Sequence, residues 1–245
     1  MRTVLVALTV IVFLIGTLPL LLIFLLIKLF NKRACAVASQ AVIKVVFKLV
    51  LFLAGAKMQV RGTENIPKDR PVLFISNHRS YADVPMAYST LVGATGFIAK
   101  KEIRRIPVLN IWMTNMTCLF LDRNDMRQGL KTILKSIDYV KAGYSAFIMP
   151  EGTRNHNEEM LEFKEGSFKI AEKSGCPVIP VAISNSDALL ELHMPWVKKA
   201  RVAISYGKPI ETANLSKEEK KSLCADTKAV IAQMMEEDKA YINGN

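Results

Sequence analysis

Six short apolar runs recur along the chain after residue 57: "VLFIS" at 72–76, "TGFIA" at 95–99, "CLFL" at 118–121, "SAFIM" at 145–149, "VIPVAI" at 178–183 and "RVAISY" at 201–206. Their near-continuous apolar character predicts strands covered on both faces, as in a largely parallel sheet. Helical patterns separate them. Met126, Leu130, Ile133, Leu134, Ile137 and Val140 trace one helix face that Gly143 is placed to end. "SKEE" at 216–219 predicts a capping box at the start of a long C-terminal helix. Strand and helix alternating in this way predict one α/β domain, a largely parallel mixed sheet flanked by helices.

The residues before 57 are different in kind. From Val4 to Ile27 the chain is apolar apart from Thr9, Gly16, Thr17 and Pro19, and about twenty such residues cross a hydrocarbon core as a helix. Arg2 precedes the run, and Lys28, Lys32 and Arg33 follow it. A second apolar stretch, Ala34 to Ala56, carries Lys44 and Lys48 four residues apart. That spacing predicts an interfacial helix with its basic side toward anionic headgroups. A cleaved signal peptide would need a shorter apolar region and a cleavage site where the basic cluster stands. A single span and a two-helix hairpin in one leaflet both remain, and Pro19 can bend either. Under both, the basic residues after the run predict a body on the cytoplasmic side of the membrane. The expected division is residues 1–56 as membrane-anchoring helices and 57–245 as the α/β body.

Lys and Arg number 33 against 22 Asp and Glu, a net charge of +11. Such a surface suits nucleic acid, anionic membrane or a phosphorylated substrate. Aromatic residues make up only 8% and no nucleic-acid-binding motif is present, so the apolar N-terminus favours membrane over nucleic acid. Cys35, Cys118, Cys176 and Cys224 are far apart, which predicts reduced, structural thiols. His156 and His193 lack ligand spacing, so no metal is expected.

Polar clusters stand where the predicted strands end. His78 and Asp83 follow the first run in "NHRSYAD", Asp122 and Arg123 follow the third in "LFLDR", and Glu151 to Arg154 follow the fourth in "MPEGTR". Pro180 interrupts "VIPVAI", where a central strand resists it. Ligands of open α/β sheets bind beyond the carboxyl ends of the strands, so these clusters are candidates to converge on one crevice. Taken singly, each has a plainer explanation: Asp83 as a helix cap, Arg123 as the surface partner of Asp122 or Asp125, "PEGT" as turn chemistry.

These blocks resemble, in order, the four motifs of the glycerolipid acyltransferase family: "NHRSYAD" its H-x4-D motif, then "LFLDR", "MPEGTR" and "VIPVAI". "AKKEIRRIP" at 99–107, "FKEGSF" at 163–168 and "YGKPI" at 206–210 are also similar to stretches of these enzymes. The likeness covers about residues 58 to 210. Family members carry glycines after "IP" and before the second block, where this chain has Asn110 and Thr117, and a phenylalanine where it has Met149.

The resemblance implies transfer of a fatty acyl chain from acyl-CoA or acyl carrier protein to the sn-2 hydroxyl of a 1-acylglycerol 3-phosphate at a membrane surface. No cofactor is implied. His78 would be the general base and Asp83 its orienting carboxylate. Arg123 would hold the phosphate, with Arg154 and Lys100 in support. Glu151, Gly152 and Thr153 would position the acceptor, and Pro180 would belong to the acyl side. The alternatives are another lysophospholipid or acylated amino acid lipid as acceptor, a lipid hydrolase using His78 with water or Ser80, and a non-catalytic membrane scaffold.

Overall fold

The computed structural model describes residues 1–157 and 159–244. All six expected strands form, preceded by one more. They are β1 (Ala56–Arg61), β2 (Leu73–Ser76), β3 (Thr95–Lys100), β4 (Leu119–Leu121), β5 (Ser145–Ile148), β6 (Val178–Ser184) and β7 (Ala200–Tyr206). Periodicity misses β1 because "AKMQVR" is half-exposed and carries two cations, as an edge strand does. The sheet runs β1-β7-β6-β2-β5-β3-β4, parallel throughout except between β6 and β7. The carboxyl ends of β6, β2, β5, β3 and β4 therefore share one edge.

Eight helices accompany the strands among the described residues: α1 (Arg2–Gly16), α2 (Leu18–Phe30), α3 (Lys32–Ala54), α4 (Asp83–Thr90), α5 (Leu109–Asn115), α6 (Met126–Lys141), α7 (Lys169–Ser174) and α8 (Lys217–Asn243). One sheet face packs Phe74, Phe97 and Phe147 beneath α3, α4 and α5, with the Phe97 and Phe147 rings stacked at 4.3 Å. The other packs Leu73, Ile75 and Val178 beneath α6, α7 and α8. Burial on both faces is why the strands read as unbroken apolar runs. The capping box at Ser216 and Glu219 is formed, and Gly143 follows α6 at φ +91°. Only part of the expected apolar stripe of α6 is covered. Ile137 and Val140 are buried, whereas Met126, Leu130 and Leu134 are exposed because α6 turns to the sheet a side that includes buried Thr132 and Ser136, with Gln128 donating to the Phe120 carbonyl of β4 (2.8 Å).

Pro180 lies inside β6, an internal strand, where the sequence rule resists it. The ladder tolerates it because β7 has ended there. Gly207 N–H donates to the Pro180 carbonyl (2.8 Å), and the next exchange is Val178 with Ile210, so the stretch between demands no donor from residue 180.

The N-terminal run is neither one straight helix nor detached from the body. Helices α1 and α2 meet at a 55° bend at Thr17, with Pro19 in the first turn of α2, where its missing N–H and its ring break the helical ladder. Trp112 of α5 fills the bend: its indole N–H donates to Thr17 Oγ1 (3.2 Å) and its ring packs against Phe13 and Phe24. Arg2 reaches the Leu53 carbonyl at the far end of α3, so the bent pair runs back along α3. By length and apolarity α3 is able to cross a membrane, and so is the bent pair if counted as one span.

Helix α3 buries one side, including Cys35, Ile43 and Leu51, against the body, and leaves Val45, Leu49 and Phe52 exposed. The expectation of a basic side turned toward headgroups fails at Lys44. Its ammonium donates to the Thr90 and Leu91 carbonyls at the end of α4 (3.4 and 2.9 Å), where a helix leaves carbonyls without partners and favours a cation. Lys48 stays exposed. The four cysteines are free thiols, three of them buried.

Candidate active site

Strand β2 ends at Ser76, and the chain is then held so that His78 projects from the sheet edge. Asn77 is buried and continues the β2–β6 ladder with its side chain, donating to the Ile183 carbonyl (2.8 Å) and accepting from Ile183 N–H (2.9 Å). The backbone of His78 is committed on both sides: its N–H donates to Glu151 Oε1 (2.7 Å), and its carbonyl accepts from Asn155 N–H (2.8 Å). The ring is pinned by Asp83, whose Oδ2 lies 2.7 Å from His78 Nδ1.

Asp83 opens α4 but caps nothing ahead of it. Its Oδ2 also accepts from Arg79 N–H (2.8 Å) and Ser80 N–H (2.9 Å), while Oδ1, fully buried, has no partner. One carboxylate oxygen thus closes the turn and orients the imidazole together. With Nδ1–H given to Asp83, the other ring nitrogen is the acceptor, the arrangement that lets an imidazole take a proton from a hydroxyl.

Glu151 is buried, and each of its oxygens holds a backbone donor: Oε1 receives His78 N–H and Oε2 receives Leu161 N–H (2.9 Å). Burial pushes its carboxyl above the usual carboxylate range, against the pull of those two backbone donors. Glu151 is thereby a clamp that joins the His78 loop to the loop after β5. Glutamine at 151 has one acceptor for two buried N–H groups. Glu151→Gln is expected to cost about 1–3 kcal/mol in a thermal melt and to lower kcat more than it changes KM, since it disturbs His78 rather than a substrate contact.

Arg123, beyond β4, has no ion pair or hydrogen bond among the described residues. Its expected surface partners are engaged elsewhere: Asp122 with the Lys101 ammonium and Asn124 N–H, Asp125 as the N-cap of α6. The Lys101 contact and the Asn124 N–H hold the Asp122 carboxyl below the usual range. Arg123 lines a small pocket with Gly152, Met149 and Lys164. Gly152 turns there at φ +73°, and a Cβ on it would lie 2.9 Å from Lys164 Nζ. Lys164 makes no ion pair among the described residues and was singled out by no sequence argument, although "FKEGSF" contains it.

The remaining candidates are placed otherwise. Arg154 is bound to Glu191 (3.3 Å) and stacked 3.7 Å above the Tyr81 ring. Lys100 is exposed, 3.7 Å from Glu102, and Thr153 is exposed. Pro180 is buried in mid-strand against Gly207 beneath α8, in register with Ile75 of β2. Of the two positions where family members carry glycine, Thr117 has positive φ (62°), a region where glycine is the natural occupant, as does Val108 (φ 63°) near Asn110.

Two carboxylates of the β6–β7 connection were missed, having no motif to mark them. Asp187 receives the Arg79 guanidinium (2.8 and 3.1 Å), and Glu191 receives Ser80 Oγ–H (2.5 Å) and Tyr81 N–H (2.7 Å). A larger cavity, about 1070 Å³, lies beneath α8 with Arg79 and Asp187 on its wall, but His78 does not line it. His78 does not line the Arg123 and Gly152 pocket either, but its N–H is bonded to Glu151, the residue before Gly152, so the two adjoin along the sheet edge.

Comparison with known proteins bears on the family and the fold. The family model described as Acyltransferase matches residues 57–184. The chain is 31% identical over 198 residues to the 1-acyl-sn-glycerol-3-phosphate acyltransferase of Borreliella burgdorferi, covering 81% of this chain and 79% of that one. It is 33% identical over 176 residues to the enzyme of that name from Saccharomyces cerevisiae, spanning 57% of its length. The crystal structure of the 1-acyl-sn-glycerophosphate acyltransferase PlsC from Thermotoga maritima superposes with a TM-score of 0.84 at 27% identity, over 98% of this chain and 95% of that one. With the blocks in order, the sheet shared and the imidazole–carboxylate pair at its edge, the chain belongs to the acyltransferase family and is homologous to the 1-acyl-sn-glycerol-3-phosphate acyltransferases.

Proposed function

We propose that the protein acylates the sn-2 hydroxyl of 1-acylglycerol 3-phosphate, taking the acyl chain from acyl-CoA or acyl carrier protein. His78 takes the hydroxyl proton on its free ring nitrogen as the oxygen attacks the thioester carbon. Asp83 stabilises the imidazolium that forms. The carbon–sulfur bond then breaks, and the departing thiolate receives the proton. No enzyme nucleophile is required. Ser80 is a poor one, because its hydroxyl is buried, donates to Glu191 and accepts from Ala82 N–H (2.8 Å). That arrangement weighs against the hydrolase alternative.

The observation that carries the choice of acceptor is a charge balance. Arg79, Arg154 and Lys101 are neutralised by Asp187, Glu191 and Asp122, whereas Arg123 and Lys164 line one pocket and make no ion pair among the described residues, Glu102 acting on Arg123 only from beyond ion-pair distance. Two unpaired cations suit a phosphomonoester dianion, and Arg123 offers it a planar fork. Arg123→Ala is expected to raise the acceptor KM roughly ten- to a hundredfold, the loss of a charge-assisted hydrogen bond of about 1.5–3 kcal/mol, with kcat nearly unchanged. Steady-state kinetics with lysophosphatidic acid, other lysophospholipids and water as competing acceptors tests this. An unchanged KM, or equal use of uncharged lysolipids, would remove the phosphate assignment.

Acceptor and product are amphiphiles held in a leaflet, so the enzyme works at a membrane. The apolar outer faces of α1, α2 and α3 are its anchor, residues 57–245 its catalytic domain, and the Lys and Arg residues after the first run put that domain on the cytoplasmic side.

A further inference from the structure

The connection between β6 and β7 carries a feature that acyl transfer does not use. Leu192, Met194 and Trp196 are 60%, 53% and 60% exposed, three large apolar side chains within five residues. They do not pack into either core of the domain, although Leu192 also borders the cavity beneath α8. Isolated surface apolar residues need no explanation, but this group is contiguous with more of its kind. Val197 N–H donates to Thr3 Oγ1 (2.9 Å), which ties the connection to the first turn of α1, where Met1 and Val4 are also exposed.

Cations border the patch. Lys198 and Lys199 follow it and are exposed, and Arg2 sits beside Lys199 over Gly55, where a Cβ would meet Arg2 Nη1 at 2.8 Å and Lys199 Cβ at 3.0 Å. An apolar group containing an indole, rimmed by long basic side chains, has the composition of a segment seated between headgroups and acyl chains. The indole suits that boundary, and the lysine stems lie in it with their heads in water.

The connection also leaves the carboxyl end of β6, so it lies on the sheet edge that bears His78. Leu192 directly follows Glu191, the carboxylate that holds Ser80, Tyr81 and Arg154. A contact made here would set the height of the catalytic loop above the bilayer.

We propose that Leu192, Met194 and Trp196 form a second lipid contact, inserting at the headgroup boundary of an anionic bilayer while Arg2, Lys198 and Lys199 meet its charge. This rests on the membrane-bound reading given above. The occupant is a bilayer rather than a protein because the patch continues the apolar surface of α1 and is bordered by cations.

The chain has two tryptophans, and Trp112 is fully buried, so the difference between parent and Trp196→Phe reports on Trp196 alone. The full-length protein is reconstituted with phosphatidylcholine–phosphatidylglycerol vesicles, with and without brominated acyl chains. The difference emission is expected to shift to the blue, to be quenched by bromine and to resist aqueous iodide. If the protein sediments with the vesicles but Trp196 remains iodide-accessible and untouched by bromine, the lipid contact is refuted while the anchor stands. Shielding that appears only on adding acyl carrier protein also refutes it and reassigns the patch to that partner. Failure to sediment with vesicles at all would overturn the membrane-bound reading and this contact with it.

Discussion

His78→Ala is expected to lower acyl transfer by at least about 10²- to 10⁴-fold, the usual contribution of a positioned general base, without unfolding the protein. The expectation of an intact fold has a structural basis. The bonds that fasten residue 78 are made by its backbone, N–H to Glu151 and carbonyl to Asn155 N–H, and alanine keeps both. Asp83 would still hold the turn through Arg79 N–H and Ser80 N–H. The loss should therefore appear in kcat with an unchanged melting curve. Thioester consumption measured beside a thermal melt checks both halves. Activity within about tenfold of the parent would dismiss His78 as the base and revive the scaffold alternative, which predicts no effect.

The second large effect is on stability. Asp238 of α8 is fully buried, accepting from Arg61 of β1 (2.5 Å), from Ser205 Oγ–H of β7 (2.9 Å) and from Ser184 Oγ–H of β6 (2.8 Å). One carboxylate thus joins the last helix to three strands, including both partners of β7. Removing it takes the acceptor from two buried hydroxyls and the nearest carboxylate from the Arg61 guanidinium, which keeps Ser205 Oγ (3.2 Å) and Glu237 (3.8 Å). Breaking a buried pair costs roughly 3–5 kcal/mol, and the low end applies because Arg61 keeps access to water. Asp238→Ala is expected to lose about 3 kcal/mol in denaturant unfolding, and Asp238→Asn, which keeps an acceptor and the shape, distinctly less. Equal losses for the two variants would mean that packing, not the charge network, is what Asp238 provides.

The strands and the helix ends were readable because they depend on local pattern. A strand buried on both faces has an unbroken apolar run, a capping box needs only Ser216 and Glu219, and Gly143 supplies the positive φ that closes α6. Strand β1 was not, since an edge strand has little apolar pattern to show. The outer half of the α6 stripe and the direction of Lys44 were misjudged for a common reason. Periodicity says which residues share a face, but not what stands opposite that face.

The same division runs through the site. The order of the four blocks in the chain determined by itself that a histidine, an aspartate and several cations would gather at strand ends, because a parallel sheet puts all its carboxyl ends on one edge. Which of those groups would be free was decided only by the tertiary structure. Ion pairs and buried hydrogen bonds form between residues as distant in sequence as Arg154 and Glu191, or His78 and Glu151. They tie Arg154 to Glu191 and Glu151 to two backbone donors, leave Arg123 without an ion pair among the described residues, and bring Lys164 beside it. A charge's availability depends on its neighbours in space, and in this chain those neighbours come from other strands.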